Sequence, residues 1–152
     1  MPDAVALEPG AGRSIDLGVF AMTVKATGAE TGGLFSLLEA DEPPGFGPPL
    51  HVHHDAAEAF YVLAGEYVMF LDERKVSCPA GSFVFIPAGM RHGFRVGDRP
   101  SRKLNFYFPA AMIGYFEELS AALARGDAED ALAAIATRHA MEIVGPVPES
   151  YV

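Results

Sequence analysis

From Phe20 to Phe108, short apolar or β-branched runs alternate with Gly and Pro punctuation, a pattern that admits many short strands and little else. The expected strands are Phe20–Thr27, Leu34–Glu39, Leu50–His53, Ala59–Leu63, Tyr67–Leu71, Lys75–Cys78, Phe83–Ile86, Gly93–Val96 and Arg102–Phe108. Turn signals separate them: Gly32-Gly33, the stretch from Pro43 to Pro49, Gly65, Pro79-Ala80-Gly81, Pro87-Ala88-Gly89 and Gly97 to Pro100. Strands at this spacing predict an all-β sandwich, jelly roll or small barrel. With half of its 152 residues apolar, the chain has enough material for one domain with its own core.

The period changes after Pro109. Met112, Phe116, Leu119 and Leu123 recur at helical spacing, and Gly126 is placed to end that helix. Asp127 is the expected N-cap of a second helix running through Met141, stopped by Gly145-Pro146. The expected organisation is therefore a barrel over residues 1–108, with its core at about 20–108, and a helical extension over 109–152. That extension is too small to bury its apolar face alone, so it should pack on the barrel or on a partner subunit.

Eleven basic against twenty acidic residues leave a formal charge of −9, which opposes a phosphate backbone, so no nucleic-acid partner is expected. The single cysteine, Cys78, forms no intramolecular disulfide and fits a reducing compartment. Residues 1–12 lack a basic segment followed by an apolar one. The run Ala59–Ala64 reaches about a third of the ~20 residues that cross a bilayer. A cytoplasmic protein without a membrane partner is expected.

Four of the five histidines fall between His51 and His92. His51 and His53, two apart on a strand, project from one face. Glu58 follows a short turn that can fold its carboxylate back toward them, and His92 opens a strand after Pro87-Ala88-Gly89. Three imidazoles and a carboxylate suit a divalent transition metal. A His-x-His pair alone also fits surface histidines on unrelated strands.

The spacing around these residues carries more information. Gly45-x5-His51-x-His53-x4-Glu58-x6-Gly65 resembles the first signature of the cupin superfamily, and Gly81-x5-Pro87-x-Gly89-x2-His92 resembles the second. Nine of ten fixed positions agree; Val96 stands where the pattern has Asn. The resemblance covers about residues 20 to 108 and implies a cupin jelly-roll β-barrel with a short C-terminal helical extension. It places metal ligation on His51, His53, Glu58 and His92. Within the superfamily, the motif pair, Tyr61-Val62-Leu63-Ala64-Gly65-Glu66 and the tail resemble the quercetin 2,3-dioxygenase-like single-domain group.

That likeness implies one divalent metal (Fe, Mn, Ni, Cu, Co or Zn) and oxygen insertion into a small enolic or phenolic substrate. Glu58 would both hold the metal and accept the substrate's hydroxyl proton. A non-redox isomerase, cyclase or decarboxylase, and a small-ligand binding or sensing module without turnover, are the competing readings.

Strand parity turns Phe60 and Val62 inward beside Glu58, and Phe94 beside His92. Asn105 and Tyr107 are further candidates for the substrate pocket, whose lining suits an aromatic or apolar ligand. Arg91 and Arg95 point away from the metal, and His54 is exposed. Tyr61 and Leu63 face outward and are as apolar as their inward neighbours, so a covering surface is expected there, with a homodimer as the natural arrangement.

Overall fold

The computed structural model describes residues 3–146 and builds them into two antiparallel sheets that face each other, closed at one end by helices. In chain order the elements are β1 Arg13–Asp16, β2 Ala21–Ala26, α1 Gly28–Thr31, β3 Ser36–Glu42, β4 Leu50–His53, β5 Ala57–Ala64, β6 Glu66–Leu71, β7 Arg74–Pro79, β8 Phe83–Ile86, β9 His92–Val96, β10 Ser101–Phe108, α2 Ile113–Arg125, α3 Glu129–Arg138 and β11 Met141–Gly145. One sheet has the order β1-β2-β3-β10-β5-β8 and the other β11-β4-β9-β6-β7. This is a jelly roll, one of the three architectures the turn-punctuated sequence allows and the one the cupin resemblance implies.

Alternation along the strands fills the interior. Phe60, Val62, Tyr67, Met69, Cys78, Val84, Ile86, Phe94 and Val96 form one buried cluster. The second cluster joins Ile15, Leu17, Met22, Val24 and Leu38 of the barrel to Tyr115, Ala122, Ile135 and Ala136 of the helices. The amphipathic hairpin α2–α3 thus buries its apolar stripe over one end of the barrel. Gly65 makes the corner between β5 and β6 at φ +75°, and a Cβ there would run into the Ser101 side chain, so only glycine fits. Among the described residues, no helix is long and apolar enough to cross a membrane.

The elements depart from the sequence expectation in several places, the short helix α1 among them. β1 went unseen because only Ile15 of its four residues is buried, which leaves no alternating apolar run to read. β3 begins at Ser36 rather than Leu34 and continues to Glu42. Its acidic end reads as loop until pairing with β10 supplies the cations: Lys103 meets Glu42, and Arg102 meets Glu39.

The second helix starts after Ala128, not Asp127, whose carboxylate is engaged by Arg125 at 2.8 Å. That helix also stops at Arg138. Ala140 takes φ +55°, and Met141–Gly145 returns as a strand beside β4. The pairing outweighs helical periodicity because Met141 becomes buried and Val144 and Ile143 suit a strand. Residues 147–152 of the expected extension lie outside the described residues.

Candidate metal centre

Three strands from both sheets deliver the four candidate ligands to one point. β4 turns His51 and His53 inward, and β9 opens with His92 directly opposite His51. β5, in the facing sheet, contributes Glu58, with Tyr107 of β10 as its cross-strand neighbour. One potential ligand atom from each of His51, His53, Glu58 and His92 lies within 4.8 Å of the others. His53, Glu58 and His92 are buried, and the His51 ring sits 4.3 Å from that of His92, centroid to centroid.

The surrounding hydrogen bonds orient these groups. His51 donates from Nδ1 to the Pro49 carbonyl at 2.8 Å, and His92 from Nδ1 to the Met90 carbonyl at 2.9 Å. Both Nε2 atoms are thereby set toward the centre, the arrangement in which a backbone carbonyl fixes a metal-ligating imidazole. His92 Nε2 lies 3.0 Å from Glu58 Oε1, and His53 Nε2 lies 3.8 Å from Glu58 Oε2. Neither ring nitrogen of His53 has a hydrogen-bond partner although both are buried. A buried, unpartnered imidazole demands a ligand. A divalent cation meets that demand, and the donor set of three nitrogens and a carboxylate suits one.

Electrostatics favour an ionised carboxylate and two neutral imidazoles in the cluster. Burial, reinforced by the neighbouring His92, lowers the His51 imidazole to about 3, and burial lowers His53 as well. For His92 burial acts downward, but the hydrogen bond and charge of Glu58 prevail and raise it. For Glu58 burial acts upward, yet the His92 hydrogen bond and the nearby imidazoles hold it at about 2. The carboxylate is therefore ionised at neutral pH, while His51 and His53 are neutral. Tyr107 is held well above its ordinary value by burial and by the adjacent Glu58, so it remains a phenol that donates to that carboxylate.

The cluster opens onto a cavity of about 320 Å³. Of the sequence-derived pocket candidates, Phe60, Phe94, Asn105 and Tyr107 stand in its wall. Val62 does not: it is packed in the buried cluster with Tyr67 and Cys78, one layer further from the centre. Arg91 and Arg95 lie outside, bonded to Glu73 and to the Gly45 carbonyl. His54 is exposed and meets Glu142 of β11.

Sequence reasoning missed Lys103 and Glu42 in the same wall, and it missed the apolar mouth, where Phe116, Leu119 and Leu132 of the helices face Phe20 and Val19. Lys103 was open to the parity rule, since it shares the face of Asn105 and Tyr107. Glu42 and the helical mouth carried no comparable signal.

Residues 38–107 match the protein family described as a cupin domain. The chain is 33% identical over 100 residues to quercetin 2,3-dioxygenase of Bacillus subtilis (strain 168); the match covers 66% of this chain and 30% of the enzyme. The chain thus spans under a third of that enzyme's length. Among solved structures, the polyketide cyclase RemF of Streptomyces resistomycificus superposes with a TM-score of 0.60 at 22% identity, over 70% of this chain and 80% of the cyclase. The nucleoside dehydratase Pac13 superposes with a TM-score of 0.64 at 11% identity, over 97% of both chains. At these identities the two structures speak to the fold alone.

Proposed function

We propose, from the match of residues 38–107 to the cupin-domain family and the resemblance to quercetin 2,3-dioxygenase, that this chain is a metal-dependent dioxygenase acting on a small enolic or phenolic substrate. One observation carries the reading: His51, His53, Glu58 and His92 form a metal-competent cluster, and the first three of them stand in the wall of an apolar, aromatic-lined cavity. The 33% identity to the Bacillus enzyme supports the choice of oxygen chemistry. His51, His53, Glu58 and His92 would hold the metal. When bound, a divalent first-row metal supplies Lewis acidity toward a coordinated oxygen and, if redox-active, access to dioxygen.

The chain's own residues do the rest. Glu58 accepts the proton of the substrate hydroxyl, and Tyr107, hydrogen-bonded to it, keeps the carboxylate aimed. Phe60 and Phe94 hold the apolar body of the substrate, and the helices over the mouth exclude water, which strengthens each polar contact within. We also propose that the working form is a homodimer.

Elemental analysis of tag-free protein prepared without chelators or nickel resin should find near-stoichiometric Fe, Mn, Cu, Ni or Co. Oxygen uptake should then track the loss of a flavonol, diketone or catechol. Zinc alone with turnover in the absence of oxygen would replace oxygen insertion with Lewis-acid chemistry, and tight ligand uptake without turnover would make the domain a binding module. Glu58→Gln should abolish activity in a protein that still folds. Full activity in that variant would remove the proton-accepting role.

A further inference from the structure

Strand β10 turns Lys103, Asn105 and Tyr107 into the cavity two residues apart, so the three stand in a row down one wall. Tyr107 belongs to the metal-ligand end, and Asn105 lies opposite Phe60. Asn105 is 3% exposed, and its Oδ1 has no hydrogen-bond partner. A buried carbonyl oxygen left open on a cavity wall is an acceptor for whatever enters.

Lys103 is 1% exposed, with Nζ 2.5 Å from Glu42 Oε1. The same carboxylate oxygen accepts from the Tyr67 hydroxyl at 2.8 Å, which fixes its position. The ammonium lies 4.2 Å from the centre of the Phe94 ring and 5.1 Å from those of Phe60 and Tyr67. The aromatic faces stabilise its charge. An ammonium has three N–H donors, and Glu42 is the hydrogen-bond acceptor that the fold sets against it. Desolvation offsets most of the attraction in such a buried pair, so stability alone does not account for its place. Because the pair is neutral overall, it offers the cavity a donor without attracting an anion, and the Glu42 carboxylate disfavours one.

We propose that Lys103 and Asn105 form a subsite that reads an uncharged hydroxyl on the substrate, at the end of the cavity remote from the metal cluster. The hydroxyl oxygen accepts from Lys103 Nζ, and its hydrogen is donated to Asn105 Oδ1. The ligand class is an aromatic or aliphatic body lying on Phe60 and Phe94, with one oxygen toward the histidines and a neutral hydroxyl at the far end. The assignment rests on reading this cavity as the substrate site.

Naphthalene and 2-naphthol are a matched pair that differs by that hydroxyl, and their affinities can be compared by calorimetry in metal-free and zinc-loaded protein. The parent should prefer 2-naphthol about tenfold or more. Asn105→Leu, which keeps size but removes the acceptor, should abolish the preference while naphthalene still binds. Lys103→Met combined with Glu42→Leu and Tyr67→Phe removes the donor together with both of its polar partners, leaves no buried group unpaired, and should act in the same direction. It decides the matter if the Asn105 variant does not fold.

Equal affinities in the parent, binding of neither compound, or a preference that survives both substitutions would overturn the subsite. Because the comparison is also made without metal, failure of the protein to retain a metal leaves the hydroxyl preference readable, so the two proposals fail separately.

Discussion

Glu58 has two kinds of neighbour, the imidazoles that would share a metal with it and the Tyr107 phenol that donates to it from the adjacent strand. Removing the phenol hydroxyl leaves the ring, its packing and all four candidate ligands in place. Partners of this kind typically tune metal affinity or activity by roughly 10–100-fold when lost. Tyr107→Phe should therefore weaken metal binding by about tenfold in a competition titration against a chelating indicator, with a stability cost of about 1 kcal/mol. Unchanged affinity would reduce Tyr107 to packing. The four-residue set was legible through its resemblance to the two cupin signatures: parity puts His51 and His53 on one face, and that Glu58 and His92 join them from other strands is what the resemblance implies. Tyr107 was not legible to the same degree. Its contact with Glu58 depends on the register between β5 and β10, which join residues far apart in the chain.

The elements show the same division between local and distant causes. Strands bounded by Gly and Pro were readable because turns are set by residues inside them, as with Gly65 between β5 and β6. β11 was not, because Met141–Gly145 pairs with β4 across most of the chain, and no local period announces a partner so remote. The helices were readable by spacing, and so was the need to cover their apolar face, but not whether the barrel or a partner subunit covers it. Ile135 is 4% exposed and sits in the cluster shared with Ile15, Leu17 and Met22. If α3 is part of the folded core, Ile135→Ala should cost about 2–4 kcal/mol from lost burial and the cavity left behind. The urea midpoint should fall with an unchanged slope. A change within about 0.5 kcal/mol, as at surface positions, would mean that the hairpin contributes little to global stability.

At the scale of the whole molecule, a group of exposed aromatic residues lies on the outer face of one sheet. Phe83 and Phe85 of β8 are 64% and 55% exposed, and the cross-strand partner of Phe83 is Tyr61. Phe106 and Phe108 of β10 stack 5.9 Å apart on the same face, with Phe35 beside both. Lys25, Glu39 and Arg102 form ion pairs toward β2 and β3, so charge is confined to one side of the patch. A contiguous aromatic surface of this kind marks an interface, and a flat sheet face can pack on a second copy of itself about a two-fold axis. The net charge of −9 favours separation of copies, so association must be carried by this uncharged face. Sedimentation equilibrium should then give twice the 16.2 kDa chain mass. Phe83→Arg with Phe85→Arg should return it to a monomer, because a second copy would have to desolvate like charges against each other. Neither side chain enters the cavity, so metal content should be the same in both forms. A parent that sediments as a monomer, or a double variant that still dimerises, would place the interface elsewhere or remove it.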